Sequence, residues 1–227
     1  MDLQQPIKYV TLSVSLLLFV SLAPACSADQ PDHQQAAKQT KKNQNMANVD
    51  SAYFASGCFW CVEEIYEKVK GVKEAVSGYA GGSKSNPSYN EVAGGQTNHT
   101  ETVKVYYNPD EVDFKTLLKV YYGSQDPTTV GQAPDFGQQY RSIIFYTNEQ
   151  EKQIAKAFKE SIASSGKYDE PIVTEIKKLD AFWKATEYHQ DYVKKNPNKG
   201  YVRKVSKPRF QSFRKKYPEL VKEKYKE

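Results

Sequence analysis

Ser56-Gly57-Cys58-Phe59-Trp60-Cys61-Val62-Glu63-Glu64 is the stretch around which the chain is organised. Two of its three cysteines stand here as a CxxC with Phe59 and Trp60 between them. The apolar run Tyr53-Phe54-Ala55 before it suits a buried strand, and Val62, Ile65, Tyr66 and Val69 after it share one helix face. Glu63 and Glu64 read as first-turn acids. The motif therefore sits at a strand-to-helix corner, with Cys58 at the helix N-terminus. Free N–H groups there stabilise a thiolate, so Cys58 is expected to be more acidic than the usual value of about 8.5. Gly57 lets the backbone turn sharply.

Two readings compete for this corner. In one, Cys58 is a nucleophile, Cys61 its partner, and the aromatics wall a substrate pocket. In the other, the rings are core residues and the cysteines only form a disulfide. A CxxC at a helix start is a poor staple and a good redox pair, which favours the first.

SGCFWCVEE resembles the active-site signature of the A-type peptide methionine sulfoxide reductases. Many members carry Gly where this chain has Cys61. The form with Cys resembles the subgroup whose second cysteine is the resolving thiol.

The chain's 227 residues suit one domain with a tail; 39% are hydrophobic and Tyr occurs 17 times, consistent with a globular core edged by amphipathic side chains. A net charge of +5 is mild and gives no argument for nucleic acid. Three cysteines (Cys26, Cys58, Cys61) make no disulfide framework.

Residues 1–26 read as a signal peptide. Lys8 precedes the apolar run Val10 to Val20, and Leu22-Ala23-Pro24-Ala25-Cys26 resembles both a cleavage site and a bacterial lipoprotein box. Lipidation of Cys26, secretion without lipid and an uncleaved anchor are the three outcomes. The expectation is export to the bacterial cell envelope or periplasm as a membrane-anchored lipoprotein. Residues 27–48 are polar and read as a disordered linker.

Residues 49–202 read as the reductase domain and 203–227 as a basic C-terminal extension, a solvated, partly helical end. Within the domain, strands are expected near Ala52 to Ala55, Val72 to Tyr79, Glu101 to Tyr107, Tyr140 to Tyr146 and Ile172 to Ile176. One helix follows the motif to about Lys70, one is capped by Asp113, and one by Asn148 with Glu151 as its capping-box partner. The stretch from Gly78 to Glu101 reads as a long functional loop, and Ser124 to Gln139 as a second long loop. This order suits an α+β, two-layer mixed sheet with packed helices. The resemblance implies the same, with a ferredoxin-like core.

Reduction of a sulfoxide needs a soft nucleophile, an acid for the oxygen, and a cage for the methyl group. Cys58 supplies the first. By resemblance, Glu101 in TNHTE is the general acid, its carboxyl raised by aromatic surroundings. Tyr89 and Tyr140 match phenols that hydrogen-bond the oxygen, Asp135 matches an Asp near the substrate, and Phe59 and Trp60 match the methyl-binding wall. Asn98 stands where the family commonly has Gly. Gly200-Tyr201 is followed by Val202 rather than Cys, so a distal resolving cysteine is absent and Cys61 takes that role.

The resemblance thus implies reduction of the S epimer of methionine sulfoxide, free and in oxidised proteins, through a Cys58 sulfenic acid and a Cys58–Cys61 disulfide recycled by a thioredoxin-like dithiol. No cofactor or metal is needed. A thiol-disulfide oxidoreductase is the alternative, although its usual Trp-Cys-x-x-Cys order is absent. An envelope protein holding metal through thiols and histidines is a third reading. It has little support, because His99 and His189 lack zinc spacing and His189 lies far along the chain.

Overall fold

The computed structural model describes residues 48–226. The signal segment, Cys26 and the linker through residue 47 lie outside the described residues.

Strand β1 (Asp50–Ala55) leads through the Ser56-Gly57 corner into helix α1 (Phe59–Glu67) and strand β2 (Val72–Ala80). Helix α2 (Tyr89–Ala93) and strand β3 (Thr100–Tyr107) follow, then helix α3 (Phe114–Gly123), strand β4 (Ile143–Tyr146), helix α4 (Glu149–Ala163) and strand β5 (Glu175–Lys178). Strand β6 (Phe182–Lys184), helix α5 (Tyr192–Lys195), a π-turn (Val202–Ser206) and helix α6 (Lys207–Lys216) complete the main elements.

The strands form one sheet in the order β5-β4-β1-β3-β2-β6. All neighbours are antiparallel except β4 with β5. The two β-α-β units spanning β1 to β4 give the inner order β4-β1-β3-β2, the split βαβ arrangement of a ferredoxin-like core. The α+β two-layer mixed sheet is as expected.

The main core lies between the sheet and the helices. Phe54 of β1, Ile65 and Tyr66 of α1, Val103 and Val105 of β3, and Leu117, Leu118 and Tyr121 of α3 are all buried in it. Phe54 stacks on Tyr66 at 5.0 Å. A smaller cluster of Tyr53, Ala55, Ala80, Ile143 and Phe145 forms separately. The alternation along β1, with Phe54 in one cluster and Tyr53 and Ala55 in the other, follows the two-residue period of a strand.

Some expected features hold and others shift. Asp113 caps α3 through the Thr116 N–H, 2.7 Å away. Asn148 caps α4 by accepting from Glu151 N at 2.9 Å, but Glu151 turns its carboxylate to Thr147 N rather than to Asn148. The loop before β3 contains α2, held by a capping box between Ser88 and Glu91. Tyr140 ends a 3₁₀ turn (Gln138–Tyr140) instead of opening β4. The fifth strand starts at Glu175, and β6 was not anticipated, because three residues carry too little periodicity to read.

The largest difference is the C-terminal segment. Beyond 202 it is basic, as expected, yet it is packed into the domain. Phe210, Phe213 and Val221 are buried in the main core, and Val221 bridges to Val69 beside α1. Its apolar residues are few and widely spaced among lysines, so the composition hid a buried face.

Candidate active site

The β1–α1 corner is built by contacts from three directions. Gly57 has φ +75°, and a Cβ there would meet Gln132 Cβ at 2.9 Å, so both conformation and space require glycine. Its N–H donates to the Tyr140 carbonyl at 2.9 Å, tying the corner to the second long loop. Arg209 of α6 donates from Nη1 to Ser56 O (3.0 Å), from Nη2 to Ser56 Oγ (3.2 Å) and from Nε to Ser124 O (2.8 Å). Tyr121 of α3 donates to Ala55 O at 2.9 Å.

Cys58 is the N-cap of α1, and Cys61 follows one turn later. Both are free thiols and both are buried, and Cys61 Sγ donates to Ser206 Oγ at 3.2 Å. Cys58 does not have the acidity expected of it. Burial pushes its thiol well up, and the hydrogen bond to Cys61 and the nearby Glu101 push the same way. Cys61 is lowered to about 6, chiefly by the Cys58 hydrogen bond against its own burial, with help from Arg209, Ser206 and Tyr201. Cys58 stands at the helix terminus as expected, but desolvation outweighs the terminus for a thiol sealed from water.

Glu63 and Glu64 do not lie in the first turn of α1, which starts at Phe59. Glu63 is buried, and burial raises its carboxyl to about 8.

Glu101 near the start of β3 is 2% exposed, and its Oε2 accepts from Phe59 N at 2.9 Å. Burial raises it to about 8 despite that hydrogen bond, so it holds its proton at neutral pH. Tyr89 is pushed to about 12 by burial and by Glu101, and Tyr140 is raised for the same reasons. Both phenols remain donors. The charges of Glu101, Cys58 and Asp135 all act on Tyr89 and Tyr140, so these sequence-distant groups converge on one place. Asp135 is half-buried and raised by burial, and it accepts from the Tyr201 hydroxyl.

Phe59 is 1% exposed and packs among Trp60, Tyr79 and Tyr89 with centroids 5.9–6.5 Å apart. Trp60 stacks on Tyr192 at 3.7 Å and meets Tyr201 edge-on at 5.9 Å. Its Nε1 donates to His189 Nδ1 at 3.3 Å. That contact leaves the imidazole proton on Nε2, and burial holds His189 in its neutral form. His189 also packs on Phe59 and Tyr89, with centroids 5.2 and 4.4 Å away. Its distance along the chain was therefore misleading: it is part of the aromatic wall. His99 instead braces the loop before β3, accepting from Gly82 N at 3.2 Å and meeting Lys84 O at 2.7 Å.

The structure thus gathers Cys58, Cys61, Glu101, Phe59, Trp60, Tyr89, Asp135 and Tyr140 around one corner. Tyr201, His189, Ser206 and Arg209 also line the corner, and none of the four is among the site residues expected from sequence. Tyr201 stands out in the sequence only through the residue after it. Ser206 and Arg209 carry no local pattern that marks them. Chemically, the corner offers a soft nucleophile with a second thiol in contact, a protonated carboxyl, two phenol donors and an apolar aromatic wall.

The profile of the family described as peptide methionine sulfoxide reductase matches residues 50–221. The match includes most of the segment that had read as an extension. The chain is 42% identical over 172 residues to the peptide methionine sulfoxide reductase MsrA of Natronomonas pharaonis, covering 75% of this chain and 97% of that protein. It is 43% identical over 172 residues to MsrA 1 of Rhodopirellula baltica, covering 75% and 88%. Among solved structures, reduced Mxr1 of Saccharomyces cerevisiae superposes with a TM-score of 0.60 at 34% identity, covering 67% of this chain and 88% of that one. Methionine sulfoxide reductase A of Corynebacterium diphtheriae gives 0.59 at 33%, covering 66% and 76%.

Proposed function

The chain belongs to the peptide methionine sulfoxide reductase family, and from that premise we propose that it reduces the S epimer of methionine sulfoxide at the Cys58 corner, using Glu101 as acid and Cys61 as resolving thiol. The observation that carries this reading is the pairing of a buried, protonated Glu101 with the first N–H of the helix that Cys58 caps. A disulfide oxidoreductase has no sulfoxide oxygen for such a donor to protonate.

The sulfoxide methyl group packs against Phe59 and Trp60, where sulfur and methyl contacts with rings are favourable. Its oxygen takes hydrogen bonds from Glu101, Tyr89 and Tyr140. Cys58 Sγ attacks the substrate sulfur while Glu101 gives its proton to the oxygen, and the Cys58 thiol proton restores the carboxyl. The oxygen passes to Cys58, methionine leaves, and Cys58 is a sulfenic acid. Cys61 then attacks Cys58 Sγ. An S–S bond forms, the S–O bond breaks, and the oxygen leaves as water with the Glu101 proton. A thioredoxin-like dithiol reduces the resulting disulfide. The substrates are oxidised proteins and free methionine sulfoxide, and the outcome is repair.

The export reading places this repair in a bacterial envelope, with a membrane tether through Cys26. It rests on the sequence of residues 1–26 alone. Among the described residues, no helix is long and apolar enough to cross a membrane.

The test is one turnover without reductant. The protein should yield one methionine per chain and one Cys58–Cys61 disulfide located by mass spectrometry. Methionine formation with both cysteines still reduced would overturn the reading.

A further inference from the structure

Strand β6 ends at Lys184, which pairs with Gly78 of β2. One step further only half of the ladder continues: Ala185 N donates to Ser77 O at 2.9 Å, and the chain then enters a turn at 187–191. Ser77 is fully buried, and a buried backbone N–H without an acceptor is costly. The side chain of Gln190, itself buried, fills the place that the strand leaves. Its Oε1 accepts from Ser77 N at 3.0 Å, and its Nε2 donates to Ser77 O at 3.0 Å and to Ala185 O at 2.9 Å. The two bonds to Ser77 meet both main-chain groups of one residue, as the paired residue of an antiparallel neighbour does.

The residues on either side of Gln190 hold Trp60. His189 Nδ1 accepts from Trp60 Nε1 at 3.3 Å, and Tyr192 stacks on the indole at 3.7 Å with the ring planes 8° apart. Between them Asp191 stands at φ +53°, a left-handed conformation that L residues adopt at a cost. This turn therefore needs an anchor from outside itself, and the amide bonds of Gln190 tie it to β2. The same strand carries Tyr79, two residues beyond Ser77, whose ring packs on Phe59 at 5.9 Å.

We propose that Gln190 is a positioning residue for sulfoxide binding: its side-chain amide replaces a missing strand residue on Ser77 and, through His189 and Tyr192, fixes the indole plane of Trp60 against which the substrate methyl group packs. The inference rests on the reductase reading of the Cys58 corner and adds to it what orients the aromatic wall. Gln190 acts through Trp60, so its loss weakens sulfoxide binding and leaves the chemical step at Cys58 largely as it is.

The test is first-turnover methionine formation by the full chain against the concentration of a peptide S-sulfoxide, which separates half-saturation from limiting rate. Gln190→Met keeps the length and removes the amide. Gln190→Glu keeps an acceptor for Ser77 N and loses the donors. Half-saturation should rise about tenfold in Gln190→Met and less in Gln190→Glu, the order of one or two net hydrogen bonds, with the limiting rate within about threefold of wild type. The rise should vanish when either change is made together with Trp60→Ala, because Gln190 then has no indole to orient. Trp60 and Trp183 are the two tryptophans of the chain, so Trp183→Phe isolates the emission of Trp60. That emission should shift with Gln190→Met, whether or not a sulfoxide is turned over. Half-saturation unchanged in both variants, rises that simply add to that of Trp60→Ala, or an unaltered Trp60 emission would overturn the proposal. Failure of the wild-type chain to form methionine would overturn the reductase reading instead, and the emission would still decide whether Gln190 positions Trp60.

Discussion

The Phe59 backbone N–H donates to Glu101 Oε2 across 2.9 Å. One residue follows the nucleophile on α1 and the other sits near the start of β3, so this bond fixes the acid against the thiol that it serves. Burial lifts Glu101 to about 8. The carboxyl is protonated below that value and ionises as pH rises through it. The first-turnover rate should therefore fall on the alkaline side of about pH 8. Glu101→Gln should lose roughly a hundredfold to ten-thousandfold in methionine formation and lack that limb. Stopped single-turnover assays across pH check both.

Cys58→Ser should abolish reduction. Cys61→Ser should give one stoichiometric round and then stop when thioredoxin is the reductant, because no disulfide can form. Continued cycling of Cys61→Ser with thioredoxin would remove Cys61 from the resolving role. The readout is methionine released per chain.

The aromatic wall was legible only in part. Phe59 and Trp60 announce themselves by standing between the cysteines. His189 and Tyr192 complete the wall from more than a hundred residues away, and only tertiary contact reveals them. Trp60 stacks on Tyr192 at 3.7 Å, which fixes the ring plane offered to the substrate. Trp60→Ala should raise KM more than it lowers kcat, read from saturation curves with a peptide sulfoxide.

The C-terminal segment shows the same limit for the fold. Apart from α2, the strand–helix order through β5 follows from periodicity and caps such as Asp113. From 203 onward, lysine-rich composition concealed Phe210 and Phe213 as core residues. Phe213 is 1% exposed, so Phe213→Ala should cost about 3–5 kcal/mol of stability, measurable by urea unfolding. A change near zero would mean that the segment is dispensable.

Cys58 was expected to be acidic from its place at a helix start; its burial, which local sequence does not state, reverses the direction. Glu63 illustrates the same effect on stability. Its folded-state value, about 8, lies above the ordinary 4.5. A group raised on folding contributes stability that is complete below its unfolded value and is lost as pH rises through the folded one. Glu63→Gln should flatten the decline in stability between about pH 4.5 and 8, read from unfolding midpoints at several pH values.

The most direct measurement is turnover of the separated S and R epimers of a methionine sulfoxide peptide, with dithiothreitol as reductant. Reduction of the S epimer alone, dependent on Cys58, is the predicted result. Reduction of neither epimer by folded protein with its thiols intact, or reduction of the R epimer alone, would contradict the account.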